Sequence, residues 1–231
     1  MTGLSIVIPA FNEEDRLGPT IERTRQWCAD NLDSFELIVV DDGSSDRTVE
    51  VARACGDDIK VIELGVNKGK GAAVRAGMLA ATGSRVLFCD ADLATPIEEV
   101  LKLGAKLDDG YDIAIASRGL AEADIQTRQH PMREAMGRMF NLLVRVVVVG
   151  GIKDTQCGFK LFSHEAAQDL FSQATIDGFA FDVEVLWLAR KRYRIAEVPV
   201  VWRHVDESKV SPGIDAARMF VDLFRMRIRR R

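Results

Sequence analysis

The chain alternates short apolar runs, rich in β-branched residues, with longer stretches of helical periodicity. The apolar runs are continuous in Val, Ile and Leu, which is typical of parallel strands that are covered on both faces. Strands are predicted in the first half at 4–10, 35–41, 59–64, 85–90 and 113–117, with helices in most of the gaps. This pattern predicts an α/β fold with a mostly parallel central sheet flanked by helices.

Polar residues follow the predicted strands at the points where the chain leaves the sheet. In open parallel sheets, ligands bind at the carboxyl ends of the strands, so the chemistry of this chain is expected in these segments. They are residues 9–13 (PAFNE), 41–44 (DDGS), 90–92 (DAD) and 117–118 (SR).

The second half of the chain is less regular but is expected to build onto the same sheet. It contains an amphipathic stretch at 131–147, a further segment at 158–162, a predicted helix at 181–192 and a predicted strand at 195–202. A length of 231 residues suits one enlarged domain better than two, so residues 1–231 are predicted to form a single domain with a functional division near residue 120.

Composition and charge narrow the class of protein. Apolar residues at 47% and charged residues at 29% are ordinary globular values, and a net charge of −4 argues against a general nucleic-acid binder. The four widely spaced cysteines indicate a reduced, cytosolic chain without a zinc site. The apolar run at 146–152 is far shorter than the ~20 residues of a membrane span, so any membrane contact is expected to be peripheral.

Asp90 and Asp92 follow a predicted buried strand and flank Ala91. Carboxylate oxygens are ligands that suit Mg²⁺ or Mn²⁺, and a diphosphate would supply further oxygens. The alternative is structural, because Asp92 precedes a plausible helix start at 95–98 and would serve as its N-cap. Both interpretations stay open on these residues alone.

Two further segments carry polar groups after or between the predicted strands. Asp41 ends an apolar strand, where an ionised carboxylate needs a partner, and a base or a ribose could provide the donors. The residues after it form a turn before a helix. Residues 67–71 (NKGKG) form a basic, Gly-rich turn that lacks the spacing of a phosphate-binding loop.

Together these segments resemble a known family. Residues 5–14 (SIVIPAFNEE), 39–46 (VVDDGSSD), 67–71 and 90–92 occur in the order and approximate spacing of inverting family-2 glycosyltransferases of the GT-A fold, which is Rossmann-like. Residues 154–162 (DTQCGFKLF), 179–184 (FAFDVE) and 207–209 (ESK) are similar to segments of dolichyl-phosphate β-glucosyltransferases and their bacterial or archaeal relatives. The resemblance covers nearly the whole chain.

The resemblance implies a role for individual residues. Residues 1–120 would bind the nucleotide sugar and residues 121–212 would form the acceptor side. Asp90, Ala91 and Asp92 would hold the metal and the diphosphate, with both aspartates as metal ligands and Asp92 counted among the catalytic residues. The remaining donor-site positions are Pro9, Ala10, Phe11, Glu13, Val39, Asp41, Lys68, Arg118, Arg203 and Lys209.

Asp182 and Arg118 are the other predicted catalytic residues. An Asp in this region is the general base of relatives that act on hydroxyl acceptors, whereas a phosphate acceptor with a pKa near ~6 is already an anionic nucleophile. Asp182 is therefore interpreted as an acceptor-side or orienting residue, and the alternative is a surface position on an amphipathic helix.

The reaction implied is transfer of a hexose, foremost glucose from UDP-glucose, to dolichyl or undecaprenyl phosphate with inversion, with Mg²⁺ or Mn²⁺ as cofactor. The alternatives are a GDP-mannose donor, a soluble acceptor such as a phosphoglycerate, or a nucleotide-binding module without catalysis. No nucleic-acid partner is expected.

Residues 213–231 are predicted to form a basic amphipathic helix. Ala217, Phe220, Val221, Phe224 and Ile228 recur at helical spacing, and five arginines lie within 225–231. Such a helix suits peripheral docking at an anionic membrane surface, here the inner, cytoplasmic face. The alternatives are that its apolar side packs on the protein, or that a separate membrane protein brings the chain to its lipid.

Overall fold

A seven-stranded sheet forms the centre of the molecule. The computed structural model describes residues 3–126 and 151–203, together with Met219, Val221 and Asp222. The strand order is β3-β2-β1-β4-β7-β5-β8, and β7 is antiparallel to both of its neighbours while the other paired strands are parallel. The strands are β1 Leu4–Ala10, β2 Phe35–Asp41, β3 Ile59–Glu63, β4 Arg85–Cys89, β5 Ile113–Ser117, β7 Phe159–Ser163 and β8 Ile195–Pro199.

Helices cover both faces of this sheet. They are α1 Leu17–Asn31, α2 Thr48–Ala54, α3 Lys70–Ala80, a 3₁₀ turn Ile97–Glu99, α4 Val100–Asp108, α5 His164–Gln173 and α6 Phe181–Ala189. A small parallel ribbon joins β6 Asp124–Ile125 to β9 Val201–Trp202 beside the main sheet.

Two apolar cores lie on opposite faces of the sheet. One joins the strands to α3, α5 and α6, and the other joins them to α1, α2 and α4. Every residue of β1 and β5 is buried, which explains why these strands read as continuous apolar runs. The prediction of a mostly parallel sheet with helices on both faces is confirmed.

The strands predicted in the first half are confirmed, although β3 and β4 each end one residue earlier than expected. The run at 195–202 was predicted as one strand, and this is wrong: Val200 interrupts it, so that β8 joins the main sheet while β9 pairs with β6. The second half does build onto the sheet, but β7 enters antiparallel between β4 and β5, which periodicity could not reveal.

Several predictions lie outside the described residues: the amphipathic stretch at 131–147, Lys209 and most of the C-terminal helix. Within that helix, Met219, Val221 and Asp222 are helical, with Met219 buried and Val221 about half exposed (48%). Among the described helices, none combines the length and the apolar character that crossing a bilayer requires.

Candidate active site

The Asp90–Asp92 loop lies at the carboxyl end of β4, in the middle of the sheet. Leu93 takes a left-handed conformation (φ 45°) and reverses the chain, while Asp92 accepts a hydrogen bond from the Ala94 N–H at 3.0 Å. Asp92 therefore closes a turn and caps no helix, since the following 3₁₀ turn begins only at Ile97. Both carboxylates are partly exposed, and burial together with the charge of Asp90 raises the pKa of Asp92.

The loop is held in place by its own main chain. Thr20 in α1 donates to the Ala91 carbonyl at 2.6 Å, and the Asp90 N–H donates to the Gly158 carbonyl at 3.0 Å. A Cβ atom on Gly158 would overlap the Asp90 carboxylate. The residue before β7 therefore has to be a glycine for Asp90 to keep its position.

Lys70 faces this loop from the first residue of α3, with its Nζ 2.6 Å from Oδ1 of Asp90. Burial acts to lower the pKa of Lys70, but the carboxylates of Asp90, Asp182 and Asp92 together hold that pKa above its ordinary value. Lys70 is thus an ammonium ion, and it offsets part of the negative charge of the loop.

The glycines beside Lys70 explain the NKGKG segment. Gly69 has a φ of 115°, and a Cβ there would lie 2.5 Å from the Asp177 carbonyl; a Cβ on Gly71 would lie 2.5 Å from the Ile176 carbonyl. The two glycines therefore let the chain before α6 pack against the start of α3. This contact fixes the backbone from which Lys70 reaches Asp90.

Lys68, the lysine predicted at the donor site, is exposed. Its backbone N–H and that of Gly69 each donate to the buried Asp42 carboxylate at 2.8 Å. Desolvation raises the pKa of Asp42, although these two hydrogen bonds oppose the rise. Because both N–H groups are occupied by Asp42, they do not form a phosphate cradle, and the proposed contact of Lys68 stays a prediction.

Asp182 lies in the first turn of α6 and is buried, so the alternative of a surface position is wrong. Its Oδ1 is 2.5 Å from Nζ of Lys160, which is also buried and donates to the Cys157 carbonyl at 2.6 Å. Burial raises the pKa of Asp182, whereas the ammonium groups of Lys160 and Lys70 act in the opposite direction.

Arg118, at the end of β5, is committed to a second ion pair. Its Nε and Nη2 lie 2.7 Å and 3.0 Å from the two carboxylate oxygens of Asp154, and its guanidinium group lies over the ring of Trp202. Burial acts to raise the pKa of Asp154, but the charge and hydrogen bonds of Arg118 hold it below its ordinary value. Arg118 therefore ties the loop before β7, which contains Asp154, to the end of β5.

The predicted nucleotide side lies at the ends of β1 and β2. Pro9, Ala10, Val39 and Asp41 are buried, with Val39 enclosed in a core cluster, and Phe11 and Glu13 are partly exposed. The nucleotide contacts of these six residues stay predictions.

Asp41 was expected to need a hydrogen-bond partner, and the turn after β2 supplies one without a base or a ribose. Its carboxylate accepts hydrogen bonds from the N–H groups of Gly43 and Ser44 at 3.0 Å and 3.1 Å. The turn after β2 thus satisfies the charge locally, so burial of Asp41 does not by itself indicate a ligand.

Arg203 is placed next to the Asp90–Asp92 loop by its main chain. Its N–H donates to the Ala94 carbonyl at 2.8 Å, and its Nε donates to Gln126 at 2.8 Å, while the residue itself is exposed. Lys209, the second predicted basic residue of this segment, lies outside the described residues.

The side chains present fit a divalent metal at Asp90 and Asp92. Both are partly exposed carboxylates on one reversed loop, and Mg²⁺ or Mn²⁺ typically uses one or two carboxylates together with the oxygens of a substrate phosphate. In the described part of the chain, no cluster of three or more His, Cys, Asp or Glu side chains is arranged to bind a metal.

Sequence reasoning assigned no role to Lys70, Lys160 or Asp154. One signal for Lys160 was present in the sequence: a lone lysine within the apolar strand FKLFS needs a buried carboxylate as partner. No comparable signal distinguished Lys70 from Lys68, because the difference between them depends on where α3 begins.

A family model and several known proteins are similar to this chain. The family model described as glycosyl transferase family 2 matches residues 5–171. A dolichyl-phosphate beta-glucosyltransferase from Drosophila melanogaster is 39% identical, with 98% of this chain and 74% of the relative covered. The proteins of that name from Homo sapiens and Saccharomyces cerevisiae are 38% and 35% identical, over 98% and 97% of this chain and 75% and 74% of their own.

Crystal structures of glucosyl-3-phosphoglycerate synthase from Mycobacterium tuberculosis share the fold. The complex with uridine-diphosphate has a TM-score of 0.73 at 23% identity, over 97% of this chain and 80% of that one. The complex with Mn²⁺, uridine-diphosphate-glucose and phosphoglyceric acid has a TM-score of 0.72 at 23% identity, over 97% and 79%.

Proposed function

This chain belongs to glycosyl transferase family 2, and on that premise we propose that it transfers glucose from UDP-glucose to dolichyl phosphate or a related polyprenyl phosphate, with inversion at the anomeric carbon. Relatives named dolichyl-phosphate beta-glucosyltransferase, 35–39% identical over nearly the whole chain, support this choice of donor sugar and acceptor. The bond from the anomeric carbon to the diphosphate breaks, a bond to the acceptor phosphate oxygen forms, and UDP leaves.

The observation that carries the proposal is the position of the Asp90–Asp92 loop. Two partly exposed carboxylates and the ammonium group of Lys70 meet at the carboxyl end of a central strand, where parallel sheets bind nucleotides. A site that pairs acidic ligands with a lysine suits a metal-bound diphosphate, since both the metal and the phosphate oxygens find a partner of opposite charge.

Asp90 and Asp92 would hold Mg²⁺ or Mn²⁺, and the ion would stabilise the negative charge that develops on the leaving diphosphate. Lys70 adds a positive charge at the same place. We propose an indirect role for Arg118, because Asp154 already neutralises its guanidinium group. Through this ion pair, Arg118 fixes the loop that precedes β7. Arg203 and Lys209 are proposed to contact the donor from the segment after β9.

The acceptor needs orientation more than it needs a base. A phosphate monoester has a second pKa near ~6, so at neutral pH its oxygen is already an anionic nucleophile. The ion pair of Asp182 with Lys160 agrees with an orienting role, because its carboxylate is already engaged by an ammonium group at 2.5 Å. Holding the acceptor oxygen in line behind the anomeric carbon is then the main task of the acceptor side.

We further propose that the chain works at the cytoplasmic face of a membrane as a peripheral protein. A polyprenyl phosphate stays in the bilayer, so the enzyme has to approach the interface to reach it. The predicted basic amphipathic helix at 213–231 would provide that contact, and a membrane-protein partner is the alternative route.

A donor and acceptor screen tests the proposed function. The full chain with Mn²⁺ is given UDP-glucose or GDP-mannose, each with a short polyprenyl phosphate or with 3-phosphoglycerate, and release of the nucleoside diphosphate is measured. We expect release of UDP only with the polyprenyl phosphate. Turnover with GDP-mannose alone would show that the proposed donor is wrong, and turnover with phosphoglycerate alone would show that the proposed acceptor is wrong. No turnover with any pair would overturn the proposal.

A further inference from the structure

Lys70 forms a partly buried ion pair with Asp90. Its Nζ is 2.6 Å from Asp90 Oδ1, and the two side chains are 23% and 33% exposed, so the pair is shielded from solvent without being sealed. The backbone of Lys70 is fixed by the close contacts of Gly69 and Gly71 with residues 176–177.

The neighbouring cations of the described site already have partners. Lys160 is paired with Asp182, Arg118 with Asp154, and Arg16 with Glu13. Lys70 is the cation that is paired directly with Asp90, and the charge of Arg16 also acts on Asp92, where it opposes the rise in the pKa of that carboxyl. Any divalent metal that binds Asp90 has to share this carboxylate with the ammonium group or displace it.

We propose that Lys70 makes metal binding at Asp90 and Asp92 depend on the diphosphate of the donor. Without a diphosphate, the ammonium group repels the incoming metal and competes with it for Asp90. When a diphosphate is present, its oxygens accept a hydrogen bond from Lys70, so Asp90 is released to the metal. The inference rests on the proposed function only for the identity of the diphosphate ligand.

Lys70 would thereby couple binding of the metal to binding of the diphosphate. Coupling of this kind is reciprocal, so the metal raises the affinity for UDP by the same factor by which UDP raises the affinity for the metal. The consequence for the enzyme is that a metal-loaded site without donor stays scarce, and that release of UDP also releases the metal.

The coupling is measurable with Mn²⁺ and UDP alone, without turnover. Mn²⁺ affinity is determined by electron paramagnetic resonance on the full chain, with and without UDP, and a titration of Mn²⁺ into UDP without protein corrects for the complex in solution. The variants are Lys70→Gln and Lys70→Met, which remove the charge, and Lys70→Arg, which keeps it. Lys106→Gln is the matched control, because Lys106 is also paired with a carboxylate, Asp109, but lies on the last turn of α4.

We expect the parent and Lys106→Gln to bind Mn²⁺ at least about fivefold more tightly with UDP than without it. In Lys70→Gln and Lys70→Met, Mn²⁺ should bind more tightly than in the parent when UDP is absent, and UDP should bind less tightly when Mn²⁺ is present. These two opposite changes are not expected from damage to the fold, which would weaken both. Lys70→Arg should retain the coupling of the parent.

Two results would overturn the inference. The first is equal Mn²⁺ affinity of the parent with and without UDP, a measurement that needs no variant and holds even where a substituted chain fails to fold. The second is an Mn²⁺ affinity of the neutral variants, without UDP, equal to or weaker than that of the parent. Failure of the proposed function is seen separately, as a parent that binds Mn²⁺ and UDP with coupling but transfers no glucose.

Discussion

Asp92 combines a charge with a structural hydrogen bond, and the two are separable by substitution. Asp92→Asn keeps an oxygen that accepts from the Ala94 N–H but removes the charge that would bind a metal. We expect the rate of glucosyl transfer to fall by at least about 100-fold while the melting temperature stays near that of the parent. Asp109→Asn, an exposed carboxylate on another element, is the control.

Removal of the metal should have the same effect as Asp92→Asn. With excess EDTA, the parent should lose transfer, and added Mg²⁺ or Mn²⁺ should restore it. Full activity of the parent in EDTA would contradict the metal role of Asp90 and Asp92, whatever the variant shows.

The Lys160–Asp182 pair makes a prediction about stability. Both side chains are almost fully buried, so Lys160→Met leaves the Asp182 carboxylate without its close partner. We expect the free energy of unfolding in urea to fall by about 3–5 kcal/mol, because an uncompensated buried charge is costly.

The double substitution Lys160→Met with Asp182→Leu should recover most of that loss, since a buried ion pair can be replaced by apolar side chains with little net cost. It should not recover transfer, because the carboxylate that we propose to orient the acceptor is gone. A double variant that is as unstable as Lys160→Met alone would show that the two side chains do not act as a pair.

At the scale of elements, the antiparallel entry of β7 determines the shape of the site. Gly158, the residue before this strand, lies against Asp90, so Gly158→Ala should push the Asp90 carboxylate away from its position. We expect weaker Mn²⁺ binding in the presence of UDP and slower transfer. Gly18→Ala in α1, where a Cβ would make only an ordinary contact with Val51, is the matched control. Equal effects of the two substitutions would contradict the role of Gly158.

The sequence could predict where the buried strands lie, but it could not predict how β7 pairs with its neighbours. Buried parallel strands are evident from continuous apolar runs, so β1, β2 and β5 were predicted to the residue, and the polar residues after them were expected at one edge. Pairing partners are non-local, and nothing in FKLFS indicates that it enters between β4 and β5. The contacts of Lys70 and Lys160 depend on that pairing and on the start of α3, which explains why their roles emerged only from the structure.

At the scale of the whole molecule, the proposed acceptor would require the chain to meet a membrane. We expect the parent to float with liposomes that contain anionic lipid, and binding should weaken with salt, since each arginine near the surface contributes about 1 kcal/mol. A chain truncated after Met219, which loses the arginines of 225–231, should bind much less. Equal flotation of both chains would show that this segment is not the anchor.

The most direct test of the account follows labelled glucose into the lipid. The full chain is incubated with Mn²⁺, UDP-glucose labelled in the sugar and a polyprenyl phosphate, and the label is measured after partition into organic solvent. The anomeric configuration of the extracted product is then determined by nuclear magnetic resonance. We expect label in the organic phase as a β-linked glucosyl phosphate, formed in step with UDP. Label that stays in the aqueous phase while UDP is released, or an α-linked product, would contradict it.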